Sequence, residues 1–300
     1  MKMLLVDIRS TLPSLQETLN GPEYPAISSR IAESYDVISN FIGYLVQSLD
    51  EEGTTSSLQT LSFEPSQLLQ LRADISETMS LTIEHLRDRY DASVSGAAGL
   101  HPSARTDPDP TSSSPRSIAW DSSSTSMSED PLTLSETRTL ALWLREDDND
   151  ALRREAAGIV DVLLGLYGSE DAKGDIRSAV LTAFEGIFEV PEGIDAFLRE
   201  DGWEILSKDL QKILSSRKSE EETRGLEIIR ALLTVAESEV VGPAKKEWVK
   251  IIDMAIEALQ GELCQLIVCV RSFLPVSSFP FSLRSSRSIV SARTNAHDSI

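Results

Sequence analysis

The amino-acid sequence predicts an all-α protein, an α-solenoid of paired helices with a disordered internal linker. Three observations lead there. Apolar residues recur at three- and four-residue steps through most of the chain. Gly, Pro and Asp turns separate those stretches. No segment alternates apolar and polar residues between hairpin turns, so a sheet has no source. Many helices of ordinary length joined by short turns suit stacked pairs better than one closed bundle, because each pair buries its apolar stripe against its neighbours.

The first helix is expected over residues 4–19 and the second over 26–49, where Ile31, Tyr35, Ile38, Ile42, Leu45, Val46 and Leu49 form one stripe. Asn20, Gly21, Pro22 and Pro25 act as the breakers between them, since Gly supplies a left-handed turn and Pro cannot continue a helix. A third helix, residues 66–89, carries Leu68, Leu71, Ile75, Met79, Ile83 and Leu86 and completes a block of helical repeats over residues 1–92. Residues 93–130 are crowded with Ser, Thr, Pro, Gly and Asp and read as a disordered linker, with an r.m.s. span of about 35 Å if it behaves as a coil.

Asp130 and Pro131, an N-cap acceptor and the proline suited to the first helical position, open a second block over residues 131–260. Its first helix runs through Leu140, Leu142, Trp143 and Leu144. Asp147, Asp148 and Asp150 then place negative charge at the start of a helix from Leu152 to Tyr167, closed by Gly168. Similar cycles follow at 176–188, 193–198 and 203–214. Ser219 and Glu222 read as a capping box for a helix through Leu226, Ile229, Leu232 and Leu233. Gly242 and Pro243 open the last one, with Trp248, Ile251, Ile252, Ala255 and Leu259 inward. Residues 261–300 read as an atypical, disordered tail.

Charge narrows the function. The 28 Lys and Arg against 48 Asp and Glu leave a net charge of −20, which repels a phosphate backbone, so nucleic acid is not expected as a partner. The apolar start is interrupted by Asp7 and Arg9 before a signal peptide could form, and the run from Leu263 to Val270 is far shorter than the roughly 20 residues that span a bilayer. Cys264 and Cys269 lie too near the end of the chain to staple the rest of it, which suits a reducing, cytoplasmic setting.

Catalytic and metal chemistry find no anchor. His85, His101 and His297 fall on a helix, in the linker and at the end of the chain, with no second ligand at metal spacing, and His85 reads as a partly exposed helix residue beside Glu84. Lys173 precedes Gly174 in the wrong order for a phosphate loop. No cofactor is expected. The candidate partner-binding residues are Trp143, Trp203, Glu146, Asp147 and Asp148. Tryptophans anchor interfaces when exposed, although Trp143, Trp203 and Trp248 fall on or beside apolar stripes where a core role is the alternative. The acids, with Asp150, could dock a basic partner or hold a cation; capping and solvation of a helix start is the plainer reading. Ser114, before Pro115, and Ser128, before Glu129 and Asp130, are candidate phosphorylation sites in the linker.

The run Leu142-Trp143-Leu144-Arg145-Glu146-Asp147 with Glu155-Ala156-Ala157-Gly158, and the run Glu192-Gly193-Ile194 through Asp201-Gly202-Trp203, resemble the neurochondrin family. Residues 74–79 and 86–91 resemble its fungal branch. The resemblance covers roughly residues 1–260, and members of the family are longer, so the chain looks like a C-terminal portion. It implies an armadillo-like helical fold and a cytosolic adaptor role, with no catalytic residue to carry over. Function is therefore expected to be non-catalytic binding of partner proteins on a helical-repeat surface. A peripheral membrane or trafficking role is the alternative, directed by the tail, where Phe273, Phe279 and Phe281 interleave with Arg271, Arg284 and Arg287.

Overall fold

In a computed structural model that describes residues 1–15, 22–50, 64–95, 130–169, 174–216 and 221–238, the apolar stripes become ten α-helices, and the described residues contain no strand. The helices α1 (Lys2–Leu15), α2 (Tyr24–Asp50) and α3 (Pro65–Ser95) precede the linker. They are followed by α4 (Pro131–Glu146), α5 (Asp150–Ala157), α6 (Val160–Gly168), α7 (Gly174–Ile187), α8 (Pro191–Arg199), α9 (Gly202–Ser216) and α10 (Glu222–Glu237). The fold is all-α. Every described residue belongs to one unit, Met1–Met254; the second unit, Ala255–Ile300, lies outside the described residues. So do most of the linker, the helix expected at Gly242 and the whole tail.

α4 is the central helix. It packs on α2 and α3 from the first block and on α7 from the second, so helices from both sides of the linker share one core. Leu132, Leu140, Ala141, Trp143 and Leu144 are buried along it, and Thr133, Ser135, Thr137 and Thr139 are buried too. A helix covered on most sides can carry small hydroxyls because they return hydrogen bonds to the preceding turn: Thr137 Oγ1 donates to the Thr133 carbonyl at 2.7 Å and Thr139 Oγ1 to that of Ser135 at 2.8 Å. Gly186 lets α7 approach α4 closely, since a Cβ there would lie 2.5 Å from the Leu144 backbone. At the end of α7, Phe184 and the following Phe188 pack with Phe197 of α8 as one stacked and two edge-on pairs, with centroids 5.0–5.4 Å apart, and tie α8 to the core.

Several boundaries differ from the sequence expectation for local reasons. Pro25 begins a helix instead of breaking one: it is the second residue of α2, where a missing N–H costs nothing. The helix expected from Leu152 to Tyr167 is two helices. It stops at Gly158, whose N–H bonds back to the Glu155 carbonyl at 2.9 Å and whose own carbonyl accepts from Arg87 of α3. The acids before α5 do not cap it. Asn149 does, its side chain accepting from Ala151 and Leu152, while Asp147 is the C-cap of α4. At α10 the cap position is Glu221, without a side-chain cap bond, and Ser219 lies outside the described residues.

Candidate functional site

The long helix α3 turns one face toward α2 and α4 on which Thr78, Thr82, His85 and Arg89 follow at helical spacing, all buried. The buried hydrogen-bonding groups on this face find partners in α3 itself or in its neighbours: Thr78 Oγ1 donates to the Asp74 carbonyl and Thr82 Oγ1 to that of Thr78, each at 2.8 Å. Thr82 Oγ1 meets the Tyr35 hydroxyl of α2 at 2.6 Å. Arg89, 2% exposed, pairs with Asp130 at 2.6 Å and donates to the Tyr24 hydroxyl, which in turn donates to Asp130 at 2.9 Å. The second Asp130 oxygen accepts from the Leu132 N–H at 3.0 Å and caps α4. One carboxylate therefore starts α4 and fastens it to α2 and α3. Burial, opposed by Arg89 and reinforced by Asp130, pushes the Tyr24 phenol far above its ordinary range. Burial and the Glu136 charge do the same to Tyr35.

His85 corrects the sequence reading. It is 4% exposed, and Nδ1 lies 2.9 Å from Glu136 Oε1 of α4, itself fully buried. The distance is that of an ion pair, yet neither His85 nitrogen nor either Glu136 oxygen is aligned in a hydrogen bond, and the nearby Thr133 hydroxyl makes none. On its other side His85 helps line a cleft between α1 and α3, with Leu12, Pro13, Leu81, Glu84 and Asp88. A sequence signal for the pair existed: Glu136 stands four residues before Leu140 and seven before Trp143, on the buried stripe of α4.

Trp143 and Trp203 are 8% and 5% exposed, and both belong to the core. The Trp143 indole N–H donates to Ser76 Oγ at 3.3 Å across the α3–α4 contact. Asp147 is buried and Asp148 is 89% exposed at its side chain, and Arg72 of α3 holds both. Glu146 pairs with its neighbour Arg145 at 2.7 Å. The five candidates thus divide into two core tryptophans and three acids with internal partners. Ser114, Ser128, His101, His297, Trp248, Cys264, Cys269 and the tail aromatics lie outside the described residues. Among the described residues no cluster of three or more His, Cys, Asp or Glu could hold a metal, and no helix is long and apolar enough to cross a membrane.

Comparison with known proteins adds three findings. The family model described as Neurochondrin matches residues 1–248. An uncharacterized protein of Schizosaccharomyces pombe (strain 972 / ATCC 24843) is 22% identical over 210 residues, which is 69% of this chain and 31% of that protein. The chain thus spans about a third of the length of this curated relative. No solved structure matches.

Proposed function

Because the chain belongs to the neurochondrin family, we propose that it is a non-catalytic scaffold, an armadillo-like α-solenoid that binds partner proteins on its helical surface and acts in the cytoplasm. The observation that carries this reading is the sharing of one core by helices on both sides of the linker. Such packing buries much of the apolar surface between neighbouring helices, and helical-repeat proteins use the faces that remain outside for recognition. The polar groups buried between α2, α3 and α4 fasten helices to each other: Asp130 pairs with Arg89, and Ser135 of α4 donates to Asp36 of α2 at 3.0 Å. The excess of acidic groups favours basic partners and disfavours nucleic acid.

Affinity purification from native cells, comparing the intact chain with one lacking residues 263–300, tests the proposal. A specific, saturable set of proteins retained by both chains is expected. Recovery of no such set, or of one lost with the tail, overturns it.

A further inference from the structure

The cleft between α1 and α3 has features that the packing of the fold does not use. Its walls are Leu12 and Pro13 from the end of α1 and Leu81 from α3, and Glu84 and Asp88 stand exposed at its rim, one helical turn apart on α3. Neither rim carboxylate has an ion-pair partner among the described residues. The adjacent arginines are committed elsewhere: Arg87 holds Asp161 through two bonds of 2.6 and 2.7 Å, and Arg89 holds Asp130. His85 in the cleft wall is buried, its Nδ1 faces Glu136, and its Nε2 has no hydrogen-bond partner. The exposed carboxylates of Glu84 and Asp88 make the mouth of the cleft acidic.

The volume, about 130 Å³, is well below the roughly 300 Å³ at which ligand pockets begin, and suits a single long side chain. An apolar throat with carboxylates at its mouth matches a chain of methylenes carrying a cation. We infer that this cleft is a docking site for a lysine or arginine side chain of a partner protein, with the stem against Leu12, Pro13 and Leu81 and the cation on Glu84 and Asp88. The inference rests on the reading of the chain as a protein-binding scaffold and adds to it a place and a partner chemistry.

Binding of a fluorescein-labelled hexalysine peptide to the full chain, followed by polarisation at physiological salt, tests it. Glu84→Gln with Asp88→Asn is expected to weaken binding about tenfold, as loss of two charge-assisted contacts does. Asp195→Asn with Glu237→Gln removes equal charge from distant exposed positions and is expected to change it less than about twofold. Leu81→Trp, which fills the cleft and leaves its charge, is expected to weaken binding as well. All variants are checked for wild-type helicity. Equal weakening by the two charge pairs, or full binding of the acetylated peptide, overturns the site. If a native partner binds the Glu84→Gln and Asp88→Asn variant undiminished, the cleft reading fails while the scaffold stands. If the peptide depends on the cleft and affinity purification recovers no protein partner, the scaffold reading fails, and of the cleft reading only its affinity for a cationic side chain stands.

Discussion

Asp130 satisfies a helix N-terminus with one oxygen and a buried arginine and tyrosine with the other. Removing it takes the carboxylate away from buried Arg89 and the cap away from α4, so Asp130→Ala is predicted to cost about 1–3 kcal/mol in urea unfolding. A cost under about 1 kcal/mol would mean that the pair is solvated. Arg87 and Asp161 show the same logic with a pH signature. Burial pushes the Asp161 carboxyl up, but the hydrogen bonds and charge of Arg87 outweigh it and hold the group below its ordinary 3.8. The folded value is depressed, so this contribution is present above pH about 4 and fades as pH falls through the folded value. Acid titration of wild type and Arg87→Gln is therefore predicted to converge in stability at low pH; a gap that stays constant would remove the ion pair from the account. At this scale the sequence was least legible. Asp130 was readable because its capping partner is two residues away. Arg72 and Asp147 are separated by 75 residues, and no local spacing announces their pairing.

Among elements, the contact of α4 with α7 is set by Gly186. A methyl group there meets backbone that cannot move aside, so Gly186→Ala is predicted to destabilise by about 1–3 kcal/mol despite its better helix propensity. Gly43 in α2 has open space around its Cα, and Gly43→Ala is predicted to stabilise by about 0.5–1 kcal/mol. Opposite signs in thermal unfolding confirm the packing; equal signs contradict it. Periodicity found the helices and their buried faces, because Ile31, Tyr35, Ile38, Ile75, Met79 and Leu86 were all readable from spacing and all are buried. It failed at Gly158, where the stripe continues through a break imposed by the α3 arginine. It also missed His85 and Glu136: the spacing of Glu136 from Leu140 and Trp143 placed it on the buried stripe of α4, but its partner lies 51 positions away on another helix, which no local spacing indicates.

For the whole molecule, a core shared across the linker predicts one cooperative unfolding transition from α1 to α10. Cutting the chain at an engineered protease site between residues 96 and 129 is predicted to leave the two pieces associated in gel filtration. Separation of the pieces would show that each block stands alone. Fold class and family were legible in the sequence, since they rest on pattern and local motifs. Trp143 and Trp203, weighed as interface anchors, are core residues, and the cleft beside His85 joins residues from two helices far apart in the chain, so only the three-dimensional arrangement shows it. As a scaffold, the proposed role of the molecule is to bind protein on its helical surface. Titration calorimetry of the intact chain against a partner recovered from native cells tests it most directly. Saturable heat at fixed stoichiometry is expected, with a negative heat-capacity change from buried apolar surface; heat that does not saturate would show that the surface binds no partner specifically.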